Sequence, residues 1–207
     1  MYSVNKELII RSSSEAVDFA LLKDGKLIEL HKEQETSNFQ VGDIFIAKIR
    51  KPVAGLNAAF VNVGYEKDAF LHYHDLGPNL ASQLKFIKLV SAGKIKDFSL
   101  KNFQFEKEID KDGTITDVLN ANQSVLVQVV KEPISTKGPR ISAELSLAGR
   151  FIVLVPFSDR VSISQKIEDK KEKDRLKKLV QSIKPKGFGV IVRTVAEGKN
   201  TAELEKD

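Results

Sequence analysis

The chain has 207 residues, 42% of them apolar and 29% charged, enough for one large domain or two ordinary ones with a buried core and a wet surface. It contains no cysteine, which excludes a disulfide framework, a thiolate zinc site and a thiol nucleophile. The formal charge of +5 leans toward polyanionic partners without requiring one.

The opening residues MYSVNKELIIRSSSE hold no long apolar run and no cleavage signature, and no later stretch is long enough to span a bilayer. A cytoplasmic protein without a membrane segment is therefore expected. Three strands are predicted in the first 37 residues: one from Leu8-Ile9-Ile10, one over Ala16 to Leu22, and one after Asp24-Gly25. That dipeptide is a strong tight-hairpin signal, because both central residues of a primed turn need positive φ. Three strands with no helix make a weak core, and this unit calls for a partner.

From Val41 the pattern changes. VGDIFIAKIRKPVAG alternates, and NAAFVNVG and KDAFLH follow as the two arms of a short hairpin. Each arm carries one large aromatic, Phe60 and Phe70, which either fill a core or stand on a sheet face ready to stack on something flat. A long Lys-rich, poorly periodic stretch comes next, with 84–107 longer than a simple connection needs. A helical turn in TITDVLNAN and the β-branched strand SVLVQVVKE complete an order that fits a five-stranded Greek-key barrel.

The apolar run RFIVLVPF, ended by Pro156, suits a buried strand. In SISQKIEDKKEKDRLKKLVQSIKPKG, Leu176, Leu179, Val180 and Ile183 fall at helical spacing, and Pro185 and Gly187 stop the helix. GFGVIVRT is a further buried strand ending in Arg193-Thr194, and AEGKNTAELEKD reads as polar and helical. His72 and His74 sit at i and i+2 with only Asp75 beside them, so no metal site is assigned. KKEKDRLKK reads as a solvated helix face. Gly198-Lys199 lacks the spacing of a P-loop.

KGPRISAELSLAGRFIVLVP, ISQKIED and GFGVIVRTVAEGKN, in this order, resemble the N-terminal region of the ribonuclease E/G family. VGDIFIAKI with NAAFVNVGYEKDAFLH resembles the RNA-binding barrel embedded there. The resemblance covers nearly the whole chain. It implies an α+β, β-rich fold: a five-stranded OB-type barrel (38–136, with the Lys-rich insertion) set between the strands of an incomplete ribonuclease-H-like subdomain (1–37) and a small α/β 5′-sensor subdomain (137–207). It further implies the N-terminal part of a homo-oligomeric cytoplasmic endoribonuclease acting in RNA processing, including ribosomal RNA processing, on single-stranded RNA with a 5′-monophosphate end. The Mg2+ of such an enzyme is held by aspartates further along, so this stretch alone is expected to be inactive, with no metal of its own.

The resemblance also carries roles residue by residue. Phe60 and Phe70 match base-stacking phenylalanines; alternation alone favours a core role, and the resemblance favours stacking. Lys48, Arg50 and Lys67 are candidate companions, and Lys137 matches a further RNA-contacting lysine. Arg193 and Thr194 match a phosphate-binding pair, in which a planar guanidinium grips two oxygens and a hydroxyl completes the cradle. Gly149 and Val153 match residues that let the terminal nucleotide approach and pack. Two departures stand out. Ala69 replaces a common glycine and is expected to tilt the neighbouring ring, and Gln165-Lys166 replaces an arginine pair, leaving Lys166 as a candidate contact. The alternative is a non-catalytic OB-fold RNA-binding module.

Overall fold

The computed structural model describes residues 5–14, 16–34, 39–95, 99–134 and 137–207, with the side chains of 33 and 34 outside that set. Two compact units result, Met1–Asn38 and Phe39–Asp207. The boundary expected at residues 37 and 38 lies outside the described residues, as does residue 136.

The first unit is a three-stranded antiparallel sheet of β1 (Lys6–Ser12), β2 (Ala16–Lys23) and β3 (Lys26–Gln34), in that order. The β2–β3 turn is the one foreseen: Asp24 and Gly25 have φ of 50° and 74°. Leu8, Ile9 and Ile10 on β1 and Leu27, Ile28 and Leu30 on β3 are exposed, since a sheet this small has nothing to bury them in.

The second unit begins with a closed barrel. Its strands are β4 (Ile44–Val53), β5 (Ala58–Asn62), β6 (Ala69–His72), β7 (Ser124–Lys131) and β8 (Arg140–Ser142), closed in the order β4-β5-β6-β8-β7. The β6–β8 pair is parallel and the others antiparallel, which is the OB-type order. Alternate residues supply the interior: Ala47 and Ile49, Ala59 and Val61, Ala69 and Leu71, Val125, Val127 and Val129, and Ile141. The strand that completes the barrel, β8, lies past residue 136, in the stretch the sequence assigns to the sensor part. At three residues it is too short to announce itself by alternation.

The Lys-rich stretch holds a helix that its weak period conceals, α1 (Leu80–Ser91). Leu80 and Ile87 are buried, while between them stands a buried polar residue, Gln83. The Gln83 amide donates to the Ala143 carbonyl at 3.0 Å and accepts from the Leu126 amide at 3.2 Å, so α1 is fastened to the barrel wall. A helical turn, α2 (Ile115–Val118), precedes β7 and buries Ile115.

Beyond β8, β9 (Leu147–Ala148), β10 (Ile152–Pro156), β11 (Val161–Ile163) and β12 (Phe188–Val192) form a sheet in the order β11-β12-β10-β9. α3 (Lys170–Ile183) joins β11 to the parallel β12, and its Leu176 and Val180 pack with Ile152, Val190 and Val192. α4 (Thr201–Lys206) buries Leu204 in the same cluster behind a capping box formed by Asn200 and Glu203. Phe157, with φ of 61°, turns its ring from the end of β10 onto Phe86 of α1 and Phe103, with centroids 5.5 and 6.1 Å away. Among the described residues no helix is long and apolar enough to cross a membrane.

Candidate nucleic-acid interface

On the barrel, Phe60 and Phe70 are direct cross-strand partners on β5 and β6. Their strand neighbours Ala59, Val61, Ala69 and Leu71 are fully buried, so period 2 turns both rings to the outer face. The ring centroids are 6.0 Å apart at 69°, and Phe60 remains 37% exposed. Ala69 points into the core, so its methyl group lies on the opposite side of the strand from the rings.

Lys67, Asp68, Lys137, Gly138, Pro139 and Arg140 close around the two rings to leave a hollow of about 590 Å³. Lys137 is thus brought to the aromatic pair from 67 residues away along the chain from Phe70 (137 − 70). The approach depends on Gly138, because a Cβ there would stand 2.4 Å from the Asp68 carbonyl oxygen. Arg140 pairs with Phe70 across the parallel β6–β8 contact, and its guanidinium grips the Asp75 carboxylate at 2.9–3.2 Å.

The sequence singled out Lys48 and Arg50, yet a bulge between Ile49 and Lys51 changes which cation faces the rings. Lys51, not Arg50, pairs with Phe60, and Arg50 contacts Asp68 at 3.2 Å. Alternation read without the bulge puts Lys51 on the inner face, which is why it escaped notice. The result is an aromatic platform rimmed by cations, an arrangement suited to a flat base with phosphates on either side.

The second patch lies at the tip of β12. Arg193 is exposed and Thr194, half-buried, opens a 3₁₀ turn, Thr194–Ala196. The Arg193 amide donates to the Phe151 carbonyl and its Nη1 to the Gly149 carbonyl, both at 2.8 Å. No carboxylate lies within 4 Å of this guanidinium among the described residues. The Thr194 hydroxyl lies 2.9 Å from that of Ser164, whose own amide donates to the Val192 carbonyl. Ser164 also accepts weakly, at 3.4 Å, from the amide of Lys166, so exposed Lys166 leaves the chain at this corner. Val153 is half-buried on the sheet face opposite α3, between Ile191 of β12 and Ala148 of β9.

Gly149 closes a turn by donating to the Ile152 carbonyl at 2.8 Å. The amides of Arg150, Phe151 and Ile152 then all donate to the Asp207 side-chain carboxylate, at 2.8, 3.0 and 3.0 Å. A Cβ on Gly149 would meet Asp207 Oδ2 at 2.2 Å, so a larger residue here would push the Asp207 carboxylate aside. Burial alone would raise the Asp207 pKa, but the three amides and the charge of Arg193 hold it below the usual carboxylate value.

The structure therefore gathers Arg193, Thr194, Gly149, Val153 and Lys166 at one corner, and Phe60, Phe70 and Lys137 at one barrel face. Sequence reasoning missed Lys51, Arg140, Ser164 and Asp207. Among the described residues no group of three or more His, Cys, Asp or Glu side chains comes together as a metal cage.

Residues 146–207 match the family model described as the Ribonuclease E/G family. Ribonuclease G of Escherichia coli strain K12 is 33% identical over 201 residues, 97% of this chain and 37% of that protein. Ribonuclease G of Haemophilus influenzae is 32% identical over the same length and shares, and ribonuclease E of Nostoc sp. is 37% identical over 173 residues, 83% of this chain and 21% of that protein. The chain thus spans less than two fifths of the length of these curated relatives.

Proposed function

Because the chain belongs to the ribonuclease E/G family, we propose that it is the RNA-capturing part of an endoribonuclease of single-stranded RNA, and that it recognises a 5′-monophosphate end. The barrel platform stacks bases, and the corner at the tip of β12 seats the terminal phosphoryl group. One observation carries this reading. Arg193 presents an exposed guanidinium whose Nη1 is tied back to the Gly149 carbonyl, beside a threonine hydroxyl fixed by Ser164.

A guanidinium held by one nitrogen keeps its remaining N–H groups in a known plane, and a phosphate dianion accepts them side by side. Electrostatics favours a phosphate over a hydroxyl end, since only the former brings nearly two charges to the arginine. The stacked bases supply about 1–3 kcal/mol each without regard to sequence, and the terminal phosphate adds a choice of which end is held. Magnesium, in this proposal, is supplied with its carboxylate ligands by other parts of the enzyme. No hydrolytic step is assigned to the residues described here.

The test is the binding of short RNA oligomers bearing a 5′-monophosphate or a 5′-hydroxyl to this protein and to Arg193→Ala. A preference for the monophosphate that disappears in the variant supports the proposal. Equal affinity for both oligomers in the unaltered protein overturns it.

A further inference from the structure

The three consecutive amides of Arg150, Phe151 and Ile152 converge on one point, and that point is filled by the Asp207 carboxylate at 2.8–3.0 Å. Such a cluster of N–H groups is an anion-binding nest. The Ile152 carbonyl is engaged by the Gly149 amide and the Gly149 and Phe151 carbonyls by Arg193, and the three donors take their acceptor from outside the turn. Asp207 supplies one with both of its oxygens.

The same turn also carries the Gly149 carbonyl that receives Arg193 Nη1 and the Phe151 carbonyl that receives the Arg193 amide. Both anchors of the arginine are thus mounted on a loop whose shape depends on the Asp207 carboxylate, which lies 14 residues beyond Arg193 itself (207 − 193). Packing does not need this charge, because Leu204 already seats α4 in the core. We propose that Asp207 is a positioning residue for the phosphate-binding corner: it rigidifies the 149–152 turn, aims the Arg193 guanidinium, and blocks the amide nest against a misplaced phosphate. This rests on the end-recognition reading above.

Without the carboxylate the nest becomes a second, poorly oriented anion seat, and Arg193 loses a fixed pose. The monophosphate end is then held less selectively, while the barrel face, built from other strands, is untouched. A role confined to stability would lower the melting temperature and leave the ratio of affinities for the two RNA ends alone.

The experiment compares wild type, Asp207→Ala, the near-isosteric Asp207→Asn and Arg193→Ala, with 5′-monophosphate and 5′-hydroxyl oligomers and thermal melts. The Asn variant keeps the shape of the side chain and so covers the case in which the Ala variant does not fold. The expected result is a roughly tenfold smaller monophosphate preference in the Asp207 variants, with 5′-hydroxyl affinity unchanged. An unchanged or increased preference in Asp207→Asn, while Arg193→Ala still abolishes it, overturns the role of Asp207 and leaves the end-recognition reading standing. No preference in the wild type overturns both.

Discussion

The hydroxyls of Ser164 and Thr194 lie 2.9 Å apart, linking the end of β11 to the end of β12 just where the exposed arginine begins. Parallel pairing of Ile163 with Val192 delivers both residues to the same edge. The contact restricts the Thr194 rotamer, so the hydroxyl is oriented before any ligand arrives. Ser164→Ala should therefore weaken binding of a 5′-monophosphate oligomer by about 0.5–1.5 kcal/mol, roughly two- to tenfold. Binding of the 5′-hydroxyl oligomer, measured alongside, should stay the same.

Phe60 and Phe70 are partners in one pair but are not equally exposed. Each, changed to alanine, should weaken RNA binding by about 1–3 kcal/mol if its ring stacks a base. Their melting curves should part company. Phe60 keeps 37% of its surface exposed, so its loss should lower the melting temperature less than that of half-buried Phe70, which should cost about 1–2 kcal/mol of stability, less than a full core aromatic. Stability loss without binding loss at both positions would return the pair to a packing role.

Lys51 faces Phe60 only because Arg50 is extruded as a bulge. An ammonium beside a stacked base neutralises a phosphate and releases a counterion. Lys51→Ala should flatten the plot of log affinity against log salt by about 0.7, the value for one single-strand phosphate contact. Arg50→Ala should flatten it less, since Asp68 already stands 3.2 Å from that guanidinium.

The elements that alternation and helical spacing announce were legible: the Asp24-Gly25 hairpin, the Phe60 and Phe70 arms, and the Leu176–Ile183 helix stripe are where the pattern puts them. What escaped was set by tertiary contact. α1 hides because Gln83 interrupts its apolar face, a residue tolerated there only because Ala143 and Leu126 satisfy its amide. β8 is three residues long and exists as a strand because β6 and β7 flank it. Lys51 depends on a bulge, and Asp207 on a turn 55–57 residues earlier in the chain (207 − 152 and 207 − 150). No local signal marks any of these.

Acid should loosen the turn behind Thr194 before it melts the barrel. Glu172, at the start of α3, accepts from Arg175 Nε at 2.6 Å and Nη2 at 2.7 Å, and also from the Gly198 amide at 2.8 Å. The Arg175 hydrogen bonds, followed by that from Gly198, lower its pKa from an ordinary 4.5 to about 2. A carboxyl depressed in the folded state stabilises the protein fully above its unfolded pKa and loses that contribution as pH falls toward the folded value. The window is therefore from about pH 4.5 down to about 2. With the Arg175 side chain 40% exposed, screening reduces the contribution to about 1 kcal/mol. Melting temperatures taken from pH 6 to pH 2.5 should fall more steeply for wild type than for Glu172→Gln, which has no such proton to gain. Hydrogen exchange at the Gly198 amide should accelerate, relative to its intrinsic rate, over the same range in wild type alone. Parallel melting curves for the two proteins would show that this carboxylate does not couple the turn to pH.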